Sequence, residues 1–193
     1  MDWAITAVLA YILGSIPFGL VMARLFGLGD IRDIGSGNIG ATNVLRTGNK
    51  PAAFLTLVFD AGKGAAAVLI AREVFGEGAA GFAGLFAVVG HLFPIFLKFK
   101  GGKGVATFLG TLLALSFPAG LAACATWLVV AIVSRISSLS AIGAAALAPA
   151  FVFYFYHMHG AILVGILSII VIAKHHQNIS RLMKDEEPKI GKK

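Results

Sequence analysis

Long apolar runs constrain this chain more than any other feature. Stretches of ~17 or more mostly apolar residues recur between Trp3 and Ala173, parted by short segments that hold most of the charge. Hydrocarbon offers a backbone no hydrogen-bond partners, so runs of this kind must satisfy themselves as helices. Composition agrees, with 58% hydrophobic and 13% charged residues among 193, against about 25% charged in soluble domains. The expected fold is an all-α polytopic integral membrane protein, one membrane domain over residues 1–193. Asp2 stands where a secretory leader would carry basic residues, so the first run reads as a span. A lone Cys124 excludes a disulfide framework and a cysteine metal site.

Charge placement orients the spans. Basic residues mark the cytoplasmic side of a membrane protein and attract anionic headgroups. The net charge of +7 is therefore assigned to lipid, and nucleic acid is excluded because no soluble basic domain remains. Spans are predicted over about Trp3–Ala23, Pro51–Ala71, Ala79–Leu97, Leu139–Tyr156 and Ala161–Ala173. Between Lys103 and Arg135 both ends are basic, and Pro118 and Gly120 lie at the middle. Two short arms, about Val105–Phe117 and Ala119–Ser134, keep both ends on one side. The count is about seven transmembrane helices, N-terminus outside and C-terminus cytoplasmic. On this map fourteen of sixteen Lys and Arg are cytoplasmic, Arg72 is external and Lys63 lies within a span.

Four polar stretches fall on that cytoplasmic side: residues 35–46, 98–107, 135–140 and 174–181. The first reads Gly-Ser-Gly-Asn-Ile-Gly-Ala-Thr-Asn-Val-Leu-Arg. Glycine permits the tight curls that turn several amide N–H groups toward one anion. A short helix from Ala41 would add its positive end. Gly37, Asn38, Gly40, Thr42 and Asn43 are expected to bind phosphate beside Ser36 and Arg46, whose guanidinium fork fits that group. The letters also spell the dinucleotide fingerprint, which has meaning only in a strand–helix unit, and no sheet is predicted.

The second stretch, Lys100-Gly-Gly-Lys-Gly-Val-Ala-Thr107, is another glycine curl leading into a helix, with Gly101, Gly102 and Gly104 around Lys103. It lacks the Walker spacing. Ser138 and Ser140 either cap the following helix or line a site. His175 and Asn178 are three apart and can share a helical face, and two histidines without a nearby carboxylate make a poor metal site. Asp60 and Lys63, at i and i+3 within a span, are costly unless paired or facing a polar cavity.

Taken together, the stretches Gly35–Val44, Phe99–Thr107 and His175 with Asn178-Ile-x-Arg-Leu182 resemble the PlsY family of bacterial membrane acyltransferases. The resemblance runs from the first span to Arg181. It implies transfer of an acyl chain from acyl phosphate to the C1 hydroxyl of glycerol 3-phosphate, giving 1-acyl-glycerol 3-phosphate and phosphate at the start of phospholipid synthesis. It further implies roles in the reaction for Ser36, Arg46, Lys103, His175 and Asn178. The implied location is the bacterial inner membrane, with the active site at its cytoplasmic face. Family members carry an acidic residue before that asparagine, where this chain has Gln177.

An acyl phosphate is already an activated anhydride, so the remaining task is to hold two anions together and aim a hydroxyl. No cofactor, metal or acyl-CoA is expected, and no obligate protein partner. Either His175 or a substrate phosphate oxygen takes the hydroxyl proton. The H-x-x-x-x-D signature of soluble-style acyltransferases is absent. The rival reading is an organophosphate or anion transporter, which calls for ionisable residues deep in several spans, whereas only Asp60 and Lys63 qualify.

Overall fold

Pro17 divides the first span. It supplies no N–H to the helical ladder, and the run that starts at Trp3 becomes two helices, α1 (Trp3–Ser15) and α2 (Phe18–Leu25). The computed structural model describes residues 3–191, so Asp2, Lys192 and Lys193, which entered the charge reading, lie outside it. A polar loop with a 3-10 turn at Ile31–Asp33 leads to the five-residue α3 (Ala41–Leu45). There follow α4 (Lys50–Phe75), α5 (Glu77–Leu92), α6 (Val105–Leu115), α7 (Phe117–Ser134), α8 (Ser137–Phe155), α9 (Met158–Lys174) and α10 (His176–Leu182). No strand occurs among the described residues.

All seven apolar segments are helical, but they differ in reach. Five spans, counting Trp3–Leu25 as one, are long and apolar enough to cross a membrane. The last qualifies only as α9 plus α10, bent by 61° at their junction, and α6 is a shorter apolar helix of eleven residues. Ser116 separates α6 from α7, with Pro118 in the first turn of α7. The break that charge parity demands is therefore present.

The helices group into two compact units, residues 1–115 and 116–193. In the first, α5 packs on α1 and α4, and α6 packs on α4. Small residues bring these backbones together: Gly14 lies against the Ala87 backbone and Gly110 against that of Ala61, leaving no room for a Cβ. Both ends of α6 are fixed. At one end Arg72 donates to Ala114 O (2.6 Å) and Leu115 O (3.1 Å) while pairing with Glu77 at 2.7 Å. At the other, the loop before α6 rests on His91, beside Asp60 in the middle of α4.

In the second unit α8 packs between α7 and α9. Ala144, Ala145 and Ala148 of α8 are buried with Val164, Leu167 and Val171 of α9, while Ile132 and Val133 of α7 and Ile169 of α9 are exposed. The chain after α10 returns across the α7–α8 junction, where Ile190 N donates to Arg135 O at 2.6 Å.

Candidate active site

The stretch 35–46 closes around Asn43. Gly35 and Gly37 take positive φ (56° and 64°), a region where a side chain is strained. Buried Asn43 accepts at Oδ1 from Ser36 N and from Arg46 Nη1, each at 3.2 Å, with the Ser36 hydroxyl 3.4 Å away. Its Nδ2 donates to Ile31 O at 2.6 Å. A Cβ on Gly35 would stand 2.6 Å from both Arg46 Cδ and Asn43 Oδ1, so glycine there lets the guanidinium lie against the loop. The sequence reading placed Asn43 among the phosphate ligands, and in the structure its side chain serves the loop itself. Both ends of its amide are engaged in building the loop, and it is 1% exposed. Ser36, Gly37, Thr42 and Arg46 are exposed, and Asn38 and Gly40 are half-buried.

The second glycine stretch abuts the first. Lys98 and Phe99 adopt left-handed conformations (φ 50° and 63°) and turn the chain back, so that Gly102 N donates to His91 O at 3.2 Å. Gly101 packs on the backbone of His91 and Leu92, and Gly102 on the His91 ring, both too closely for a Cβ. Ile39 Cγ1, from the first stretch, is 3.3 Å from where a Gly102 Cβ would stand. Lys103 and Gly101 are half-buried within this loop.

Behind the loop lies a buried polar prop. Lys63 Nζ is 2.8 Å from Asp60 Oδ1, with side chains 1% and 2% exposed. His91 Nδ1 is 3.5 Å from the same oxygen and 3.3 Å from Thr107 Oγ1. That oxygen receives no aligned hydrogen bond and is held by its ion pair with Lys63. Lys63 also donates to Ile16 O at 2.7 Å, a carbonyl exposed by the break at Pro17, and lies 5.7 Å from the Phe18 ring centre. Asp60 and Lys63 thus neutralise each other within α4.

The second unit contributes a different kind of cluster. His175 sits at the bend between α9 and α10, 2% exposed, its Nδ1 donating to Val171 O at 2.8 Å. A carbonyl only accepts, so the neutral ring carries its proton on Nδ1 and its lone pair on Nε2. Asn178 Nδ2 donates to Glu187 Oε1 at 2.6 Å, Ser138 Oγ to the same oxygen at 2.7 Å, and Arg181 Nε to Oε2 at 2.6 Å. Burial pushes the Glu187 carboxyl up, but these hydrogen bonds and the Arg181 charge outweigh it and hold the group below its ordinary range.

Sequence reasoning leaves Glu187 out. Its available signal is only an acidic run, Asp185-Glu-Glu187, in an otherwise basic tail. Of the two serines left open, Ser138 joins the cluster. Ser140 donates back to Ile136 O at 2.8 Å within α8. Neither caps that helix, since the cap position is Ile136.

Residues 4–185 match the family model described as glycerol-3-phosphate acyltransferase. The glycerol-3-phosphate acyltransferase of Jannaschia sp. (strain CCS1) is 63% identical over 97% of this chain and 93% of its own length. That of Cereibacter sphaeroides (strain ATCC 17025 / ATH 2.4.3) is 59% identical over 98% and 90%. The crystal structure of PlsY, an integral membrane glycerol 3-phosphate acyltransferase, in its glycerol 3-phosphate form aligns with a TM-score of 0.92. The two are 39% identical over 99% of this chain and 96% of that one. Its lysophosphatidic acid form gives 0.91 and 38% with the same coverage. With the match running from residue 4 to 185 and so covering all four polar stretches, the chain belongs to the glycerol-3-phosphate acyltransferase family, the PlsY-type enzymes of the membrane.

Proposed function

We propose that this acyltransferase moves the acyl chain of acyl phosphate to the C1 hydroxyl of glycerol 3-phosphate, releasing 1-acyl-glycerol 3-phosphate and phosphate. The reaction is placed at the cytoplasmic face of the bacterial inner membrane. The observation that carries this reading is the junction of two glycine loops at Ile39 and Gly102, which sets two glycine-rich backbones side by side, the kind of backbone that can curl around an anion.

The donor needs no covalent enzyme intermediate, because phosphate is already a good leaving group. Ser36, Asn38, Thr42 and the loop amide at Gly40 hold one phosphate, with Arg46 closing over it, while Gly37, whose amide donates to Ile34 O at 3.0 Å, shapes the turn. Gly101, Gly102 and Gly104 let the Lys103 loop approach a phosphate closely, and Lys103 offsets the charge that grows on the departing group. Two acceptors compete for the proton of the attacking hydroxyl, His175 Nε2 and a phosphate oxygen of a substrate. His175→Ala separates them: unchanged turnover at saturating substrate assigns the proton to the phosphate.

The deciding assay mixes purified protein with acyl phosphate and glycerol 3-phosphate, with and without a chelator, and with acyl-CoA as an alternative donor. The expected result is lysophosphatidate from acyl phosphate alone, at a rate that the chelator leaves unchanged. Formation from acyl-CoA only would overturn the donor assignment. Uptake of glycerol 3-phosphate into liposomes without acyl phosphate would favour transport.

A further inference from the structure

Glu187 fixes which end of the Asn178 amide faces it. An ionised carboxylate only accepts hydrogen bonds. Asn178 must therefore face it with Nδ2, as the 2.6 Å contact shows. A flipped amide would set two acceptors against each other. The carboxylate cannot swing away freely, because Ser138 from α8 and Arg181 from α10 hold its two oxygens and the side chain is 7% exposed. The other end of the amide, Asn178 Oδ1, is buried, and no donor among the described residues reaches it. Buried acceptors without partners are uncommon in native proteins and call for an explanation.

We infer that Glu187 is a positioning residue that presents Asn178 Oδ1 as an acceptor for a hydroxyl group of the glycerol substrate. This rests on the proposed reaction. Of its two substrates, glycerol 3-phosphate brings hydroxyl donors, whereas the acyl phosphate head presents acceptor oxygens. Asn178 also lies three residues after His175, on the same face of the short helix that His175 opens.

The test is steady-state kinetics on the full-length purified enzyme, varying each substrate while the other saturates. Glu187→Gln places an amide opposite Asn178 that can donate to Oδ1, so the Asn178 amide is no longer held one way. The KM for glycerol 3-phosphate should rise about 10-fold or more while that for acyl phosphate stays within about 2-fold. Inhibition by propyl phosphate, which has no hydroxyl, should be unchanged. Asn178→Asp alone opposes two carboxylates and should lose activity. Adding Glu187→Gln lets the glutamine donate to the introduced carboxylate and leaves an oxygen facing the ligand, so the double variant should recover most of the loss.

Equal rises in both KM values, or a double variant no better than Asn178→Asp, would overturn the inference, as would a Glu187→Gln enzyme altered only in thermal stability. Should Glu187→Gln fail to fold, the comparison of Asn178→Asp with the double variant still decides. If the unaltered enzyme makes no lysophosphatidate, the proposed reaction falls. If it does and these kinetics do not split, only the role of Glu187 falls.

Discussion

The two compact units solve a similar problem by opposite means. In residues 35–46 and 98–104 the shape comes from backbone: glycines with positive φ, and glycines pressed against His91, Leu92 and Arg46. Around Asn178 the shape comes from side chains, with Ser138, Asn178 and Arg181 all donating to Glu187. The first design tolerates almost no added atom, and the second almost no change of charge. A backbone cradle suits a compact anion with identical oxygens, whereas oriented side chains can tell a donor from an acceptor.

The contrast can be tested from its strongest consequence downward. Gly101→Ala pushes a methyl group into the backbone of His91 and Leu92 and into Pro94. Displacing the Lys103 loop by even ~1 Å should lower kcat/KM by about 100-fold or more, and an alanine enzyme with normal turnover would remove the backbone half of the comparison. Arg46→Lys keeps the charge but loses the fork and the contact with Asn43. A charge-assisted contact of about 1.5–3 kcal/mol predicts a loss of roughly 10- to 100-fold in kcat/KM. No loss would mean that charge alone suffices there.

Acid should separate the two designs next. The Glu187 carboxyl is lowered in the folded protein, so its contribution is complete above the ordinary carboxylate value of about 4.3. It is lost as pH falls through the lower folded value. A spin label carried by Lys189→Cys, in a Cys124→Ala background, should gain mobility only in that acid range. The loop around Asn43, closed by a neutral amide, should not respond there. The smallest effect belongs to Arg72→Ala, which removes a partly exposed pair and two carbonyl contacts at the α6 end. About 1 kcal/mol of stability should be lost, read from thermal unfolding in detergent, with the KM values unchanged.

How much of this was legible beforehand follows from the range of each interaction. The glycine curls, the short α3 and the Asp60–Lys63 pair are local, so spacing alone revealed them. The α6–α7 break was legible because charge must return to the same side, and Pro118 marked the place. The inward turn of Asn43 was not legible, because nothing local says whether an amide faces out to a ligand or in to Ile31 O. His91 looked like an ordinary residue at a helix end, and only the fold puts its ring beneath Gly102. Glu187 was hidden for the same reason: its partners Ser138 and Asn178 lie 49 and nine residues away in sequence.

The shortness of α6 has a consequence for traffic. Eleven residues rise only ~16 Å, about half of a ~30 Å hydrocarbon layer, and α6 is fixed at the Arg72 end. The Gly101–Gly104 hinge therefore sits beside Asp60 rather than beside Lys50, ten residues and ~15 Å deeper along α4. On the proposed reaction, the water-soluble substrate would have to reach below the level of Lys50 to meet this loop, whereas an acyl chain is already soluble at that depth.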